Sequence, residues 1–310
     1  MALAQRWSQR DKTRICGELK RTAWSLLWFA CCAMLMAFVQ IQGDAWYARQ
    51  LVQNKEASIV LHDLVFANLP RTNNPPLLNP DTALHSFIVF SVLTAFIVFP
   101  LELFIARARR FLWLFGAGYW LRMWSLVGTV LPPSDPLHCV PQNRNILESL
   151  LMMPKLLLGG AHTCTDKIFS GHSLVALLLL GFWWEEAKLR ERLERPRQRS
   201  LLRLIAYLYP LIHTIFMMVT SLLGRNHYLV DIVVASIVTI LLMRSYFWLL
   251  AYSLLQQYSH CQNLDPAVIE GSPSTKLQLI VLWCEGQDLQ KDEEQNAMEA
   301  CHLTEPENIV

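Results

Sequence analysis

The sequence predicts an all-α polytopic membrane protein, a bundle of six transmembrane helices, and three observations predict it. More than half of the 310 residues are apolar, and they are clumped into stretches of about 20 residues, enough for a helix to cross a hydrocarbon core. Lysine and arginine gather in alternate connecting segments, the charge asymmetry of a multi-pass chain. Two polar, titratable clusters open two of the apolar stretches at matching depth. An ionisable group in such a stretch marks a functional site by default.

The six stretches are Ala23–Ile41, Ala83–Ile105, Phe111–Leu131, Ile168–Trp184, Leu201–Leu223 and Tyr228–Leu255. A long polar head precedes the first and no small-residue cleavage site follows it, which argues against a removed secretory signal. Basic residues lead in (Arg6, Arg10, Lys12, Arg14, Lys20, Arg21), sit between stretches two and three (Arg107, Arg109, Arg110), and sit between four and five (Lys188 to Arg199). These segments are expected on the cytosolic side, with both termini. Residues 1–22 then form a basic cytosolic arm, 23–255 a transmembrane core, and 256–310 a cytosolic tail whose Glu, Gln and Asp content predicts disorder. The net charge of +2 gives no argument for nucleic acid.

On the other side, Gln42–Thr82 carries the turn-rich run Asn73-Asn-Pro-Pro-Leu-Leu-Asn-Pro80 and is expected to be an irregular loop. The third stretch holds Arg122 roughly 13 Å from its far end at helical rise. A buried guanidinium there either pairs with Asp231 or a backbone carbonyl to hold the bundle, or clamps a phosphate with its planar fork of donors; the sequence leaves both open. A proline-broken exit, Leu131-Pro-Pro-Ser-Asp-Pro136, leads to Ile146–Leu158. This segment reads as a short helix with Ile146, Leu150, Leu151, Pro154 and Leu158 on its apolar face, packed on the bundle or lying in the interface over a lipid entrance. Of eight cysteines, Cys139 and Cys164 alone fall in the long non-cytosolic loop, where a disulfide can persist; bridged and free thiols both remain open. Cys261, shortly after the last stretch, is a candidate for palmitoylation. No zinc-like spacing occurs, so neither metal nor cofactor is expected.

The chemistry concentrates at Ala161-His-Thr-Cys-Thr-Asp-Lys-Ile-Phe-Ser-Gly-His-Ser173 and at Arg225-Asn-His227-Tyr-Leu-Val-Asp231. Only Gly224, Arg225 and Asn226 join stretches five and six, so these are antiparallel neighbours, and His172 and His227 enter from the same face. His227 and Asp231, one helical turn apart, can act as nucleophile and orienting carboxylate. His172 can serve as acid and base. Ser170, the amides around Gly171 and the positive end of a helix dipole can hold phosphate oxygens, with Arg122 completing the anion site. No ATP-binding loop occurs. A lone histidine at a helix end is usually a surface or core residue; His62, His85, His138, His213, His260 and His302 are read that way, and His162 lies near the site without a role.

With these residues in view, the sequence resembles the sphingomyelin synthase family, headgroup transferases related to the type 2 phosphatidic acid phosphatases. The resemblance rests on Cys164-Thr-Asp166, Phe169-Ser-Gly-His172, His227-Tyr-Leu-Val-Asp231 with Ile232-Val-Val-Ala235, and Arg122 followed by Pro132 and Cys139-Val-Pro141, and it covers about Phe111–Leu249. It implies a catalytic triad of His172, His227 and Asp231, with Asp166 in the substrate site. It also implies a Golgi or plasma membrane enzyme whose site is lumenal or exoplasmic and whose partners are a phospholipid donor and a ceramide acceptor. The chain departs from the family at Thr165, Ser173 and Leu229, which leaves the headgroup open among choline, ethanolamine and inositol. Ser221 stands where the phosphatases carry an arginine six residues before the histidine, which favours transfer over hydrolysis. Self-association stays open.

Overall fold

The computed structural model describes residues 2–53, 63–68, 80–98, 101–134, 139–157, 161–193 and 200–261. Among them every regular element is an α-helix: α1 (Ala2–Gln53), α2 (Leu64–Asn68), α3 (Pro80–Val98), α4 (Leu101–Gly128), α5 (Ile146–Leu157), α6 (Gly171–Leu193), α7 (Ser200–Leu223) and α8 (Leu229–Cys261).

The helix that the others surround is α6. Its first half, Leu174 to Leu180, is apolar on every face, the pattern of a helix buried all round, and Leu174, Ala176 and Leu178 have no exposure. One side packs with Ala83 and Phe87 of α3 and Met217 of α7. Another packs with Leu114 of α4 and Ala235 and Met243 of α8. Gly118 of α4 lets that helix approach, because a Cβ there would sit 2.7 Å from Leu174.

Helix α1 runs beside α4 in the same direction. At one end Arg109, fully buried, pairs with Glu18, which also holds Arg21 at 2.8 Å. Further along, Trp28 stacks on Trp113 with ring centroids 5.2 Å apart, and Phe29 lies on Phe115 at 4.9 Å. The expected arm and loop boundaries move here. Helix α1 is continuous from Ala2 to Gln53, so it takes in the basic arm and the first turns of the expected outer loop. Residues 44–53 are rich in good helix formers and contain no proline, and Ala45 and Ala48 are buried. Helix α3 starts at Pro80, a residue suited to the first helical turn. Most of the proline-rich run before it, His62, His138, and the tail from residue 262 lie outside the described residues; 256–261, assigned to the tail, continue α8.

Among the described residues three helical segments, Gly17–Gln53, Pro80–Ile97 and Leu229–Leu250, are long and apolar enough to cross a membrane, and Tyr207–Leu223 is apolar but shorter. Helices α4 and α6 have the length, but Arg122 with several Gly and Trp residues dilutes α4, and the second half of α6 is charged. Ile97, Ile212, Ile215, Val233 and Ile237 point outward from three helices. So much outward apolar surface is foreign to a water-bathed bundle, and these helices point to a membrane protein.

Helix α5 begins with a reciprocal cap: Glu148 N–H donates to Asn145 Oδ1 (2.8 Å) and Asn145 N–H donates to Glu148 Oε2 (3.0 Å). It packs on α1 through Met153 against Ala37 and Ile41, and Gln42 donates to Ser149 Oγ at 2.8 Å. The expected apolar face is therefore turned outward: Ile146, Leu150 and Leu151 are exposed and the narrower Ser149/Met153 stripe is buried. Leu158 lies outside the described residues.

Because Leu174 has no room to yield, Gly118→Val is expected to cost about 1–3 kcal/mol, seen as a lower thermal midpoint of the detergent-solubilised protein. An unchanged midpoint would show that α4 does not rest on α6 at this point.

Candidate active site

The loop before α6 is built around two carboxylates. Asp44, on α1, accepts the backbone N–H groups of Cys164 (3.0 Å) and Thr165 (2.9 Å) and the Thr165 hydroxyl (2.7 Å). Asp166 accepts from Arg122 in a buried ion pair and from Gln40 of α1. The guanidinium thus faces Asp166, not Asp231 or a backbone carbonyl as its bundle-holding alternative supposed. Cys164 is disulfide-bonded to Cys139, with the Cα atoms 5.5 Å apart, which resolves the open cysteine choice in favour of the bridge.

Ser170 ends the loop as the N-cap of α6. Its hydroxyl accepts Ser173 N–H (3.2 Å) and its carbonyl accepts Leu174 N–H (3.1 Å), the pairing that makes serine a favoured cap. Its own N–H donates to the Asp231 carbonyl at 3.3 Å and so ties the start of α6 to the start of α8. Gly171 faces the Arg122 guanidinium so closely that a Cβ would overlap it. Only glycine lets the arginine lie across the first turn of α6.

His227 is delivered by the turn between α7 and α8. Asn226 N–H reaches back to Ser221 C=O at 3.0 Å, a Schellman-type closure, with Arg225 at the left-handed position, φ 54°. The Arg225 guanidinium rests on the Phe66 ring, 5.3 Å from its centroid, and its carbonyl accepts the Ser134 hydroxyl. Tyr228 then caps α8, and Asp231 reaches back to accept Tyr228 N–H at 2.9 Å. The same oxygen, Oδ2, lies 3.3 Å from His227 Nδ1. His227 and Asp231 meet, though by capping geometry: His227 precedes the helix, so a shared helical face is not what joins them. With Nδ1 turned to the carboxylate, Nε2 is the nitrogen left for chemistry.

His172 lies in the first turn of α6 with its Nε2 2.6 Å from Asp81 Oδ1. Its ring centroid is 5.8 Å from that of His227. Each histidine therefore has its own carboxylate, and the two rings are close enough to serve one reacting centre between them. The environments differ: the His227 side chain is 6% exposed and the His172 side chain 24%. Burial holds His227 well below the ordinary histidine range, with the charges of Lys167, His172 and Arg122 adding to the effect.

All seven expected site residues, Arg122, Asp166, Ser170, Gly171, His172, His227 and Asp231, lie around the junction of α1, α4, α6 and α8. Asp81, Asp44, Gln40 and Lys167 were missed. Asp81 had a readable signal, an acid opening an apolar stretch on the same side as His172. Gln40 and Asp44 had none, since a polar residue near the end of a span is ordinary. His213 is accounted for structurally by the Ala83 carbonyl (2.8 Å) and the Phe87 ring (4.7 Å). His162 is exposed and within electrostatic reach of Asp81, as is His85.

Residues 163–248 match the family model described as PAP2 superfamily C-terminal. The match takes in the loop from Thr163, both histidines and Asp231, and leaves Arg122 and Asp81 upstream. It supports kinship with the type 2 phosphatidic acid phosphatase superfamily, whose members are phosphatases and phosphotransferases, and hence an enzyme. Among curated proteins, none matches the chain in sequence.

The buried, neutral His227 makes a checkable prediction. Its folded pKa lies below the ordinary 6.5, so between those two values the unfolded chain binds the extra proton. Its contribution to stability is then complete above pH 6.5 and is lost as pH falls through the folded value. In a histidine NMR titration of the folded protein, His227 is expected to remain neutral at pH 6, where an exposed imidazole is largely protonated. Titration near 6.5 would contradict its burial.

Proposed function

We propose that the protein is a phosphosphingolipid synthase that moves a phospho-headgroup, phosphocholine foremost, from a glycerophospholipid to the primary hydroxyl of ceramide, releasing diacylglycerol. The observation that carries this reading is the pair of facing histidines, each seated on its own carboxylate, beside a buried arginine at the mouth of apolar helices.

His227 Nε2 attacks phosphorus while Asp231 holds Nδ1–H and stabilises the imidazolium that forms. The bond from phosphorus to the diacylglycerol oxygen breaks, and His172, steadied by Asp81, gives that oxygen its proton. The headgroup is left on His227 as a phosphohistidine. Ceramide's hydroxyl then attacks phosphorus, His172 takes its proton back, and the phosphorus–nitrogen bond breaks to free His227. Arg122, Ser170, Gly171 and Asp166 line the phosphate side of this exchange.

The reading includes six membrane crossings, cytosolic termini, and a site on the lumenal or exoplasmic side of the Golgi or plasma membrane. The Cys139–Cys164 disulfide supports that side, since such bonds persist in oxidising compartments. A second reading, a lipid phosphate phosphatase with water as acceptor, is supported by the family match and by the partial exposure of His172, which admits solvent. Ser221 favours transfer, because it offers no charge to grip a phosphate monoester. Ethanolamine and inositol headgroups are alternatives within the same chemistry.

The test offers detergent-purified protein labelled ceramide with phosphatidylcholine, phosphatidylethanolamine or phosphatidylinositol, beside His227→Ala. A labelled phosphosphingolipid from one donor, lost at least 1000-fold in the variant, is expected and names the headgroup. Diacylglycerol or free phosphate formed without any labelled product would replace the synthase with the hydrolase.

A further inference from the structure

Two cations reach into the site, and they are held differently. Arg122 is committed to Asp166. Lys167, the next residue, is half-buried, and its ammonium donates to the Asn226 carbonyl, the peptide unit that leads into His227. Among the described residues Lys167 makes no ion pair. Three carboxylates lie within its electrostatic reach, Asp44, Asp166 and Asp231; each has partners of its own, although Oδ1 of Asp166 and Oδ1 of Asp231 accept no hydrogen bond. Asp44 takes two backbone N–H groups and a hydroxyl, Asp166 takes Arg122 and Gln40, and Asp231 takes Tyr228 N–H and His227. Lys167 is thus an ammonium that no carboxylate meets as an ion pair among the described residues, held on the carbonyl of the residue before His227.

We infer that Lys167 is a substrate-binding residue whose ammonium takes a non-bridging phosphate oxygen of the lipid headgroup and neutralises the charge that builds there as His227 attacks. The inference rests on the phosphohistidine reading above and adds a residue to it. A lysine ammonium is a compact point charge with three rotatable donors. It can keep the Asn226 carbonyl with one N–H and offer another to phosphate, which the in-plane fork of Arg122, laid against Gly171 and Asp166, cannot do alone. Burial pushes the Lys167 ammonium below the ordinary lysine range. An arriving phosphate anion opposes that shift and holds the group charged.

Orthovanadate, a phosphate analogue, is the probe, with the full-length protein in detergent and thermal midpoint and turnover as readouts. Lys167→Gln keeps an N–H for the Asn226 carbonyl and loses the charge, whereas Lys167→Arg keeps both. The glutamine variant is expected to unfold near the wild-type temperature without vanadate, yet to bind vanadate about 10- to 100-fold more weakly, the worth of a charge-assisted hydrogen bond. The arginine variant is expected to recover most of the loss. Vanadate binding by Lys167→Gln within about threefold of wild type would overturn the assignment and leave the phosphohistidine reading standing. A wild type that vanadate neither stabilises nor inhibits would overturn both. Should the glutamine variant not fold, reductive methylation of the wild type decides: vanadate is expected to protect Lys167, and equal labelling with and without it would refute the contact.

Discussion

The buried ion pair between Arg122 and Asp166 is the interaction on which the rest of the site depends. Taking two charges out of water costs several kcal/mol per ion, and the cost is offset only when the pair meets well and its remaining lone pairs and protons find partners. Here α4 supplies the cation, the loop before α6 supplies the anion, and α1 adds the Gln40 amide, while Arg122 Nε and Asp166 Oδ1 stay buried without a partner and leave part of that cost standing. Three segments distant in sequence are therefore fixed at one point. Gly171 follows from it, since the guanidinium occupies the space of a side chain. With Asp166 placed and Asp44 holding the two residues before it, Ser170 falls at the start of α6 and Ser170 N–H meets the carbonyl of Asp231. The position of one charge thus bears on how α6, which carries His172, meets the start of α8, just after His227.

Two histidines with two carboxylates give a division of labour that burial alone can set. His227 is enclosed, lies next to a lysine and is held neutral, which suits a nucleophile. His172 is partly open, and its carboxylate comes from a different helix, which suits a group that trades protons with successive oxygens. Asp231 also caps its own helix through Tyr228, so the geometry of His227 is tied to the folding of α8. Asp81 stands in the first turn of α3, where an acid also complements the helix dipole. Both carboxylates serve local structure as well as the site.

What could be read from the sequence was what local pattern and sidedness determine. Apolar clumping gave the helical class, and charge asymmetry brought His172, His227 and Asp231 to one end. The limits are equally physical. The partner of Arg122 was sought in Asp231 or a backbone carbonyl, and Asp166 was passed over, because only the path of the loop before α6 brings its carboxylate to the guanidinium. The extent of α1 was missed because the arm and the segment after Ile41 lack an apolar stripe; propensity and the burial of Ala45 and Ala48 continue the helix there. Of the two placements left open for the apolar face of α5, the outward one holds, because the helix seats on α1 through the narrower Ser149/Met153 stripe and leaves Ile146, Leu150 and Leu151 exposed. Asp81 was passed over although the rule applied to His172 covers it.

The disulfide between Cys139 and Cys164 closes a ring of chain with a sequence separation of 25, and α5 lies inside that ring. One end of the ring is two residues from Asp166, while α5 leans on α1 through Met153 and shows Ile146, Leu150 and Leu151 to the outside. Helix α5 is therefore anchored twice, by its seat on α1 and by the covalent bond at Cys164, so the helix and the residues just before Asp166 share one fixed point.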